Sequence, residues 1–161
     1  MTVHFCALDS DAVRALRAGG PDAYGRPAER RSAAGPGLPC RHCLRPIPEG
    51  AEYLTLAFRP FPAPQPYAET GPIFLCADCE RAADGPGLPA MLTAPDYIIR
   101  GYGHDDRIAY GTGRVVPTDL IPAAAAALLA DAAIAYVHLR SARNNCYQCR
   151  VGRPCGGAPI G

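Results

Sequence analysis

Lysine and tryptophan are absent from these 161 residues. All 16 basic residues are arginine, and with 17 glycines, 18 prolines and abundant alanine this reads as the bias of a high-GC bacterial coding sequence. One arginine or one proline therefore says less here than in an average chain. Charge is scarce as well: charged residues make up 19% and the formal net charge is +1. That balance offers no electrostatic footprint for nucleic acid or an anionic membrane surface. Aromatic residues are 7%, which leaves little for stacking bases. These two shortages put a nucleic-acid-binding zinc module last among the function classes.

Long hydrophobic runs are missing too. The longest, residues 121–130, is too short to span a bilayer. The opening MTVHFCALDSDAVRAL has neither a basic start nor a long apolar stretch, so no signal peptide is read. No G-x-S-x-G, P-loop, dinucleotide fingerprint or H-E-x-x-H is present. The expectation is a cytoplasmic protein with no membrane and no nucleic-acid partner, in a compartment where thiols stay reduced.

Against these absences stand eight cysteines. Six form three C-x-x-C pairs: Cys40/Cys43, Cys76/Cys79 and Cys146/Cys149. Two thiolates three positions apart grip one tetrahedral ion from a tight turn, and two such pairs complete a four-sulfur zinc site. The first pair follows Pro39, where a turn is natural. The second follows the short strand Ile73–Leu75 and opens CADCERAAD, a helix-compatible segment whose free N–H groups would hold a thiolate. Turn pair, strand, helix-start pair is the order of treble-clef-like zinc sites. Cys40, Cys43, Cys76 and Cys79 are therefore the expected zinc ligands, with Cys146 and Cys149 the second-choice pair. Leu44 departs from the pattern, because knuckles often place glycine after the first pair.

The alternatives for Cys146/Cys149 are half of the zinc site, a redox pair, or a second site with Cys155. The RVGRPCGG that follows forbids a useful helix, which opposes a thioredoxin mechanism but not a reactive thiol. Cys6 reads as a core residue and Cys155 as a mobile tail thiol.

Periodicity predicts a short helix over 9–18, capped by Asp9 or Ser10 and stopped by Gly19-Gly20. Residues 20–39 read as a long surface loop. Residues 52–58 alternate as a strand with Leu54, Leu56 and Phe58 on one face. Residues 97–101 and 107–116 read as two strands around GHDD, 122–132 as an alanine-rich helix, and 133–139 as a strand buried on both faces. The expected fold is α+β: a single small domain over 1–161, mostly antiparallel sheet with few helices and long Pro/Gly loops. A zinc-binding lobe is embedded at about 38–85, and an irregular tail runs over 152–161. Apolar residues at 48% suffice for a core without disulfides, since a chain of this size buries roughly 68–70% of its unfolded surface.

The densest polar cluster, Arg140-Ser141-Ala142-Arg143-Asn144-Asn145, leaves that buried strand. Arginine offers forked donors for carboxylate or phosphate, so Arg140, Arg143, Asn144 and Asn145 are the candidate ligand-binding residues. The partner would be a small anionic ligand or a protein. A loop capped by its own hydrogen bonds is the competing reading. Tyr67, Glu69, Thr70 and Tyr102 are further groups that could line a pocket. His138 reads as a satisfied core histidine, His104 as a solvated turn residue, and His42 as pointing outward.

The blocks GLPCRHCL, PYAETGPIF, IIRGYGHDDRIAYGTGRVV and AYVHLRSARNNCYQCRV together resemble a bacterial family catalogued as domain of unknown function 1203, over roughly residues 38–151. The resemblance implies a small cytosolic single-domain protein and brings no settled activity. It also implies that many members carry His where this chain has Cys76; either residue binds zinc. Two functions follow as expectations. The first is a ligand- or partner-binding protein with a structural four-cysteine zinc site. The second is a small enzyme using Cys146 or Cys149 as nucleophile or redox thiol, or using a catalytic metal. A full four-thiolate set closes the metal's coordination and favours structure over catalysis.

Overall fold

Asp9 accepts hydrogen bonds from the Asp11 and Ala12 amides, the arrangement that satisfies the free donors of a first helical turn. It caps α1 (Ser10–Arg17), which follows a short strand β1 (His4–Cys6). A computed structural model describes residues 1–154; residues 155–161, with Cys155 and most of the expected irregular tail, lie outside the described residues. The loop expected over 20–39 contains β2 (Glu29–Ser32) and ends in β3 (Leu38–Pro39), which pairs with β4 (Pro46–Ile47). Then come β5 (Glu52–Phe58), β6 (Gly71–Cys76), β7 (Asp96–Tyr102) and β8 (Arg114–Pro117). A single 3-10 turn, Thr118–Leu120, leads into α2 (Ile121–Leu129). The strands β9 (Tyr136–Ser141) and β10 (Tyr147–Gly152) finish the described chain.

The fold is a single small domain, mostly antiparallel, with two α-helices among the described residues. A five-stranded sheet has the order β1-β10-β9-β7-β8, a three-stranded sheet the order β2-β5-β6, and β3-β4 forms a separate pair. All strand pairs are antiparallel. β5 occupies the span its alternation predicts. The strand expected over 107–116 survives only as β8, because Thr112 Oγ1 bonds the Ala109 carbonyl and the Gly101 amide and so turns the preceding residues off the ladder. β10 runs through Gly152, the start of the stretch expected to be irregular.

β9 is central, and its residues Tyr136 through Arg140 are all buried. Successive side chains point to opposite faces. Val137 and Leu139 join Ile99, Ile121, Leu129 and Val151 in the core under α2. Tyr136, His138 and Arg140 occupy the other face, opposite Tyr102, Arg100 and Ile98 of β7. That face is polar and still buried, which an apolar core strand does not require.

Candidate metal centre

The first knuckle is built by backbone bonds. The Cys40 amide donates to the Arg45 carbonyl and the Leu44 amide to the Cys40 carbonyl, closing a turn that points both sulfurs the same way. Leu44 takes φ 56°, the left-handed conformation glycine adopts freely and other residues adopt at a cost of about 1–2 kcal/mol. Its buried side chain packs in the main core, and that burial offsets the strain. The missing glycine is therefore a leucine held by packing.

The second pair arrives on the end of β6. Pairing of β6 with β5 puts Cys76 opposite Tyr53, and an isolated parallel bridge joins Cys40 to Phe74. The helix expected over CADCERAAD does not form. Its backbone groups are taken by tertiary partners instead: Ala77 N donates to Glu52 O and Ala82 N to His42 O. Arg81 reaches the carbonyls of Ala7 and Leu8 and pairs with Asp84 at 2.8 Å. Extended tethering across β1 and α1 replaces the helix.

The result brings the sulfurs of Cys40, Cys43, Cys76 and Cys79 within 4.8 Å of one another. A tetrahedron with metal–sulfur bonds of about 2.3 Å has sulfur–sulfur edges near ~3.8 Å, and Cys40 and Cys79 lie 3.9 Å apart. Four cysteines so placed could hold a metal ion. Cys146 and Cys149 do not belong to this cluster among the described residues.

The support normally supplied by a helix start comes from side chains. Arg17, on the last turn of α1, places Nη2 3.1 Å from Cys79 Sγ and 3.0 Å from the Cys76 carbonyl. His42 is buried rather than outward-facing: Nδ1 lies 3.3 Å from Cys79 Sγ and Nε2 3.0 Å from Ser10 Oγ. With Cys79 as a metal-bound thiolate, which can only accept, Nδ1–H would be the donor and Nε2 would accept from the Ser10 hydroxyl. Burial, then the charge of Arg17, holds His42 below its ordinary pKa, consistent with that neutral form. The Cys76 amide donates to Cys40 Sγ at 3.3 Å. Hydrogen bonds from Cys43 and Cys76 hold the Cys40 thiol far down, whereas bonding to Cys40 and Cys43 pushes Cys76 up. Bonding between the sulfurs thus favours a thiolate on Cys40 and opposes one on Cys76, and a divalent cation would favour thiolates throughout the set.

Residues 37–153 match the family described as protein of unknown function, DUF1203. The chain belongs to that family. No curated protein and no solved structure matches it. No helix among the described residues is long and apolar enough to cross a membrane.

The DUF1203 segment also carries the third cysteine pair and the arginine loop. β10 is bulged between Tyr147 and Cys149, which splits the pair. Cys149 is buried in the main core, and burial raises its pKa; Cys146 stays partly exposed, its thiol donating to the Asn144 carbonyl at 3.6 Å. A cleft of about 280 Å³ is lined by Arg140, Asn144, Asn145, Cys146, Glu69 and Thr70 together with apolar side chains such as Phe58 and Pro60. Arg143 is not part of that lining; its Nη1 pairs with Asp96 at 2.6 Å. Arg140 is 4% exposed and sits 2.9 Å from Glu69 Oε2. Neither carboxylate adjoins its arginine in sequence; pairing of β7 with β9 brings Asp96 alongside, and the loop before β6 brings Glu69.

His138 is fully buried but incompletely satisfied. Nε2 faces Arg150 Nε at 3.4 Å, while Nδ1 has no partner among the described residues. Burial, then Arg150, Arg140 and Arg100, keeps it neutral well below its usual pKa. His104 stays in its turn, with Nε2 3.1 Å from the Ala132 carbonyl. Arg17, Arg41 and the role of Glu69 escape sequence reading, since nothing local marks an arginine that acts across 59 residues or more of chain.

Proposed function

We propose that this protein binds a small ligand in the cleft beside Arg140, on a fold pinned by one structural zinc ion. The closed set of four sulfurs carries the metal half of this reading. Cys40, Cys43, Cys76 and Cys79 would fill all four positions of a tetrahedral zinc, leaving none for substrate. Soft thiolates select zinc over magnesium or calcium. The ion's role is then to tie the β3–β4 turn to the end of β6, where long loops cannot order themselves. The cleft supports the other half: Arg140, Asn144 and Asn145 converge there, with Arg143 anchoring the same loop from outside. The location that suits such a thiol-rich site is the cytoplasm.

A thiol enzyme is the second reading, favoured by the presence of Cys146 in the same cleft. Its hydrogen bond to a backbone carbonyl is one that a protonated thiol makes, and activation would need a base.

Elemental analysis of protein purified under reducing conditions should find about one zinc per chain, and anomalous diffraction at the zinc edge should place it among the four sulfurs. Cys40→Ser should lose the ion and open residues 40–50 and 77–85 to protease. Metal-free protein that is folded and protease-resistant would overturn the structural-zinc reading.

A further inference from the structure

The polar face of the five-stranded sheet holds Arg100, Arg140 and Arg150 around His138. Over it lie Glu69, whose Oε1 accepts from Arg100 Nη1 at 2.8 Å, and Asp106, which accepts from Tyr136 Oη at 2.7 Å. Arg150 stacks on the same Tyr136 ring, 3.8 Å from its centroid. Arg100 and Arg140 share the single charge of Glu69, while Asp106 is held by Tyr136, so guanidinium charge outweighs carboxylate charge on this face. A buried positive charge without a counter-ion is expensive, so this imbalance asks for one anionic charge.

The shortage falls on Arg140. Its Nη1 donates to the Asn145 carbonyl at 3.0 Å and lies 2.9 Å from Glu69 Oε2, but without the alignment of a hydrogen bond. Its Nε and Nη2 have no partner among the described residues, and both are shut off from solvent. These two nitrogens form one edge of the guanidinium, the side-on fork whose parallel N–H groups match the two oxygens of a carboxylate. Leaving such donors buried and unpaired is costly, which makes the pattern uncommon unless something pairs them. Arg140 lines the cleft with Asn144, Asn145 and Thr70, while Phe58 and Pro60 supply an apolar wall.

We propose that the cleft binds a small monocarboxylate that draws Arg140 round, so that its two oxygens pair with the Nε–Nη2 edge that is covered in this structure, with Glu69 limiting the site to one negative charge. This rests on the cleft-binding reading above and not on the metal. The ligand's remaining part lies toward Phe58 and Pro60, and the amides of Asn144 and Asn145 hydrogen-bond whatever polar groups it carries. A dianion such as phosphate is disfavoured because its second charge meets Glu69.

Calorimetric titration of the full, metal-bound chain with benzoate, benzamide and inorganic phosphate at one ionic strength tests this. Benzoate should bind saturably and roughly tenfold more tightly than its neutral isostere benzamide, the worth of a charge-assisted fork. Phosphate should bind more weakly than benzoate. Arg140→Lys keeps the charge, removes the fork and should cost about tenfold. Glu69→Gln should narrow the preference for benzoate over phosphate. Equal binding of benzamide, or tighter binding of phosphate, overturns the monocarboxylate and leaves the cleft reading standing. Failure of all three probes overturns both. If Arg140→Lys does not fold, side-chain NMR of 15N-arginine-labelled wild type decides: one Nε–H signal should move with benzoate, and an unmoved set overturns the proposal.

Discussion

Arg41, inside the first C-x-x-C, donates from Nε to the carbonyl of Tyr147, inside the third, at 2.8 Å. Its Nη1 reaches the Pro39 carbonyl at 2.6 Å, and the side chain is 2% exposed. Burial pulls its pKa down to about 10, which leaves it charged at neutral pH. One guanidinium therefore ties the first cysteine knuckle to the bulged strand that borders the cleft. The third cysteine pair is linked to the four-cysteine cluster through this backbone carbonyl, and among the described residues its sulfurs are not in that cluster.

Arg41→Ala should destabilise the metal-bound protein by about 2–4 kcal/mol, because two buried carbonyls lose a charged donor together. Arg41→Lys should recover less than half, since one ammonium cannot span both. Urea unfolding of the three proteins at fixed zinc measures this. A loss below about 0.5 kcal/mol for Arg41→Ala would mean the link is incidental.

Arg17→Ala should weaken zinc binding about 10–100-fold, the usual effect of removing a hydrogen-bond partner of a ligand. The Cys76 carbonyl loses the guanidinium, and Cys79 Sγ keeps only His42 beside it of the two. Competition with a chromophoric chelator gives the affinity, and circular dichroism checks that α1 persists. An unchanged affinity would show that His42 alone steadies Cys79.

Iodoacetamide should alkylate Cys146 while zinc is bound and leave Cys149 at least about tenfold slower, because a buried thiol with a raised pKa yields little thiolate. Adding a chelator should then expose Cys40, Cys43, Cys76 and Cys79 to the reagent. Fragment-ion mass spectrometry assigns each site. Protection of Cys146 until chelation would place it at the metal instead.

His138 should make stability fall on mild acidification. The unfolded imidazole takes up a proton near pH 6.5, while the folded one stays neutral well below that. Between those two values the unfolded state binds more protons, so stability falls as pH drops through and below about 6.5 and is unaffected above it. From pH 7.5 to 5.5 wild type should lose about 1.4 kcal/mol more than His138→Gln. Denaturant titrations of both at the two pH values give that difference, from which acid effects at the metal site cancel. Parallel losses would mean His138 is protonated in the fold.

The four-cysteine cluster was legible because its signal is local. A C-x-x-C spacing places two sulfurs on one turn whatever surrounds it, and β5 shows its burial in a period of two. α1 announces itself through Asp9 and the paired glycines after it. The helix expected after Cys76 fails for the opposite reason: its propensity is outweighed by hydrogen bonds to Ala7, Leu8, His42 and Glu52, all distant in sequence. β10 hides behind glycine and proline, and it is a strand because β1 and β9 flank it on both sides. The arginine loop has no acid beside it in sequence, yet Glu69 and Asp96 reach it through the tertiary fold. Cysteine spacing and strand alternation are set by bond geometry along a few residues. The pairing of each buried charge depends on which distant segments share a face of the sheet, and only the folded chain decides that.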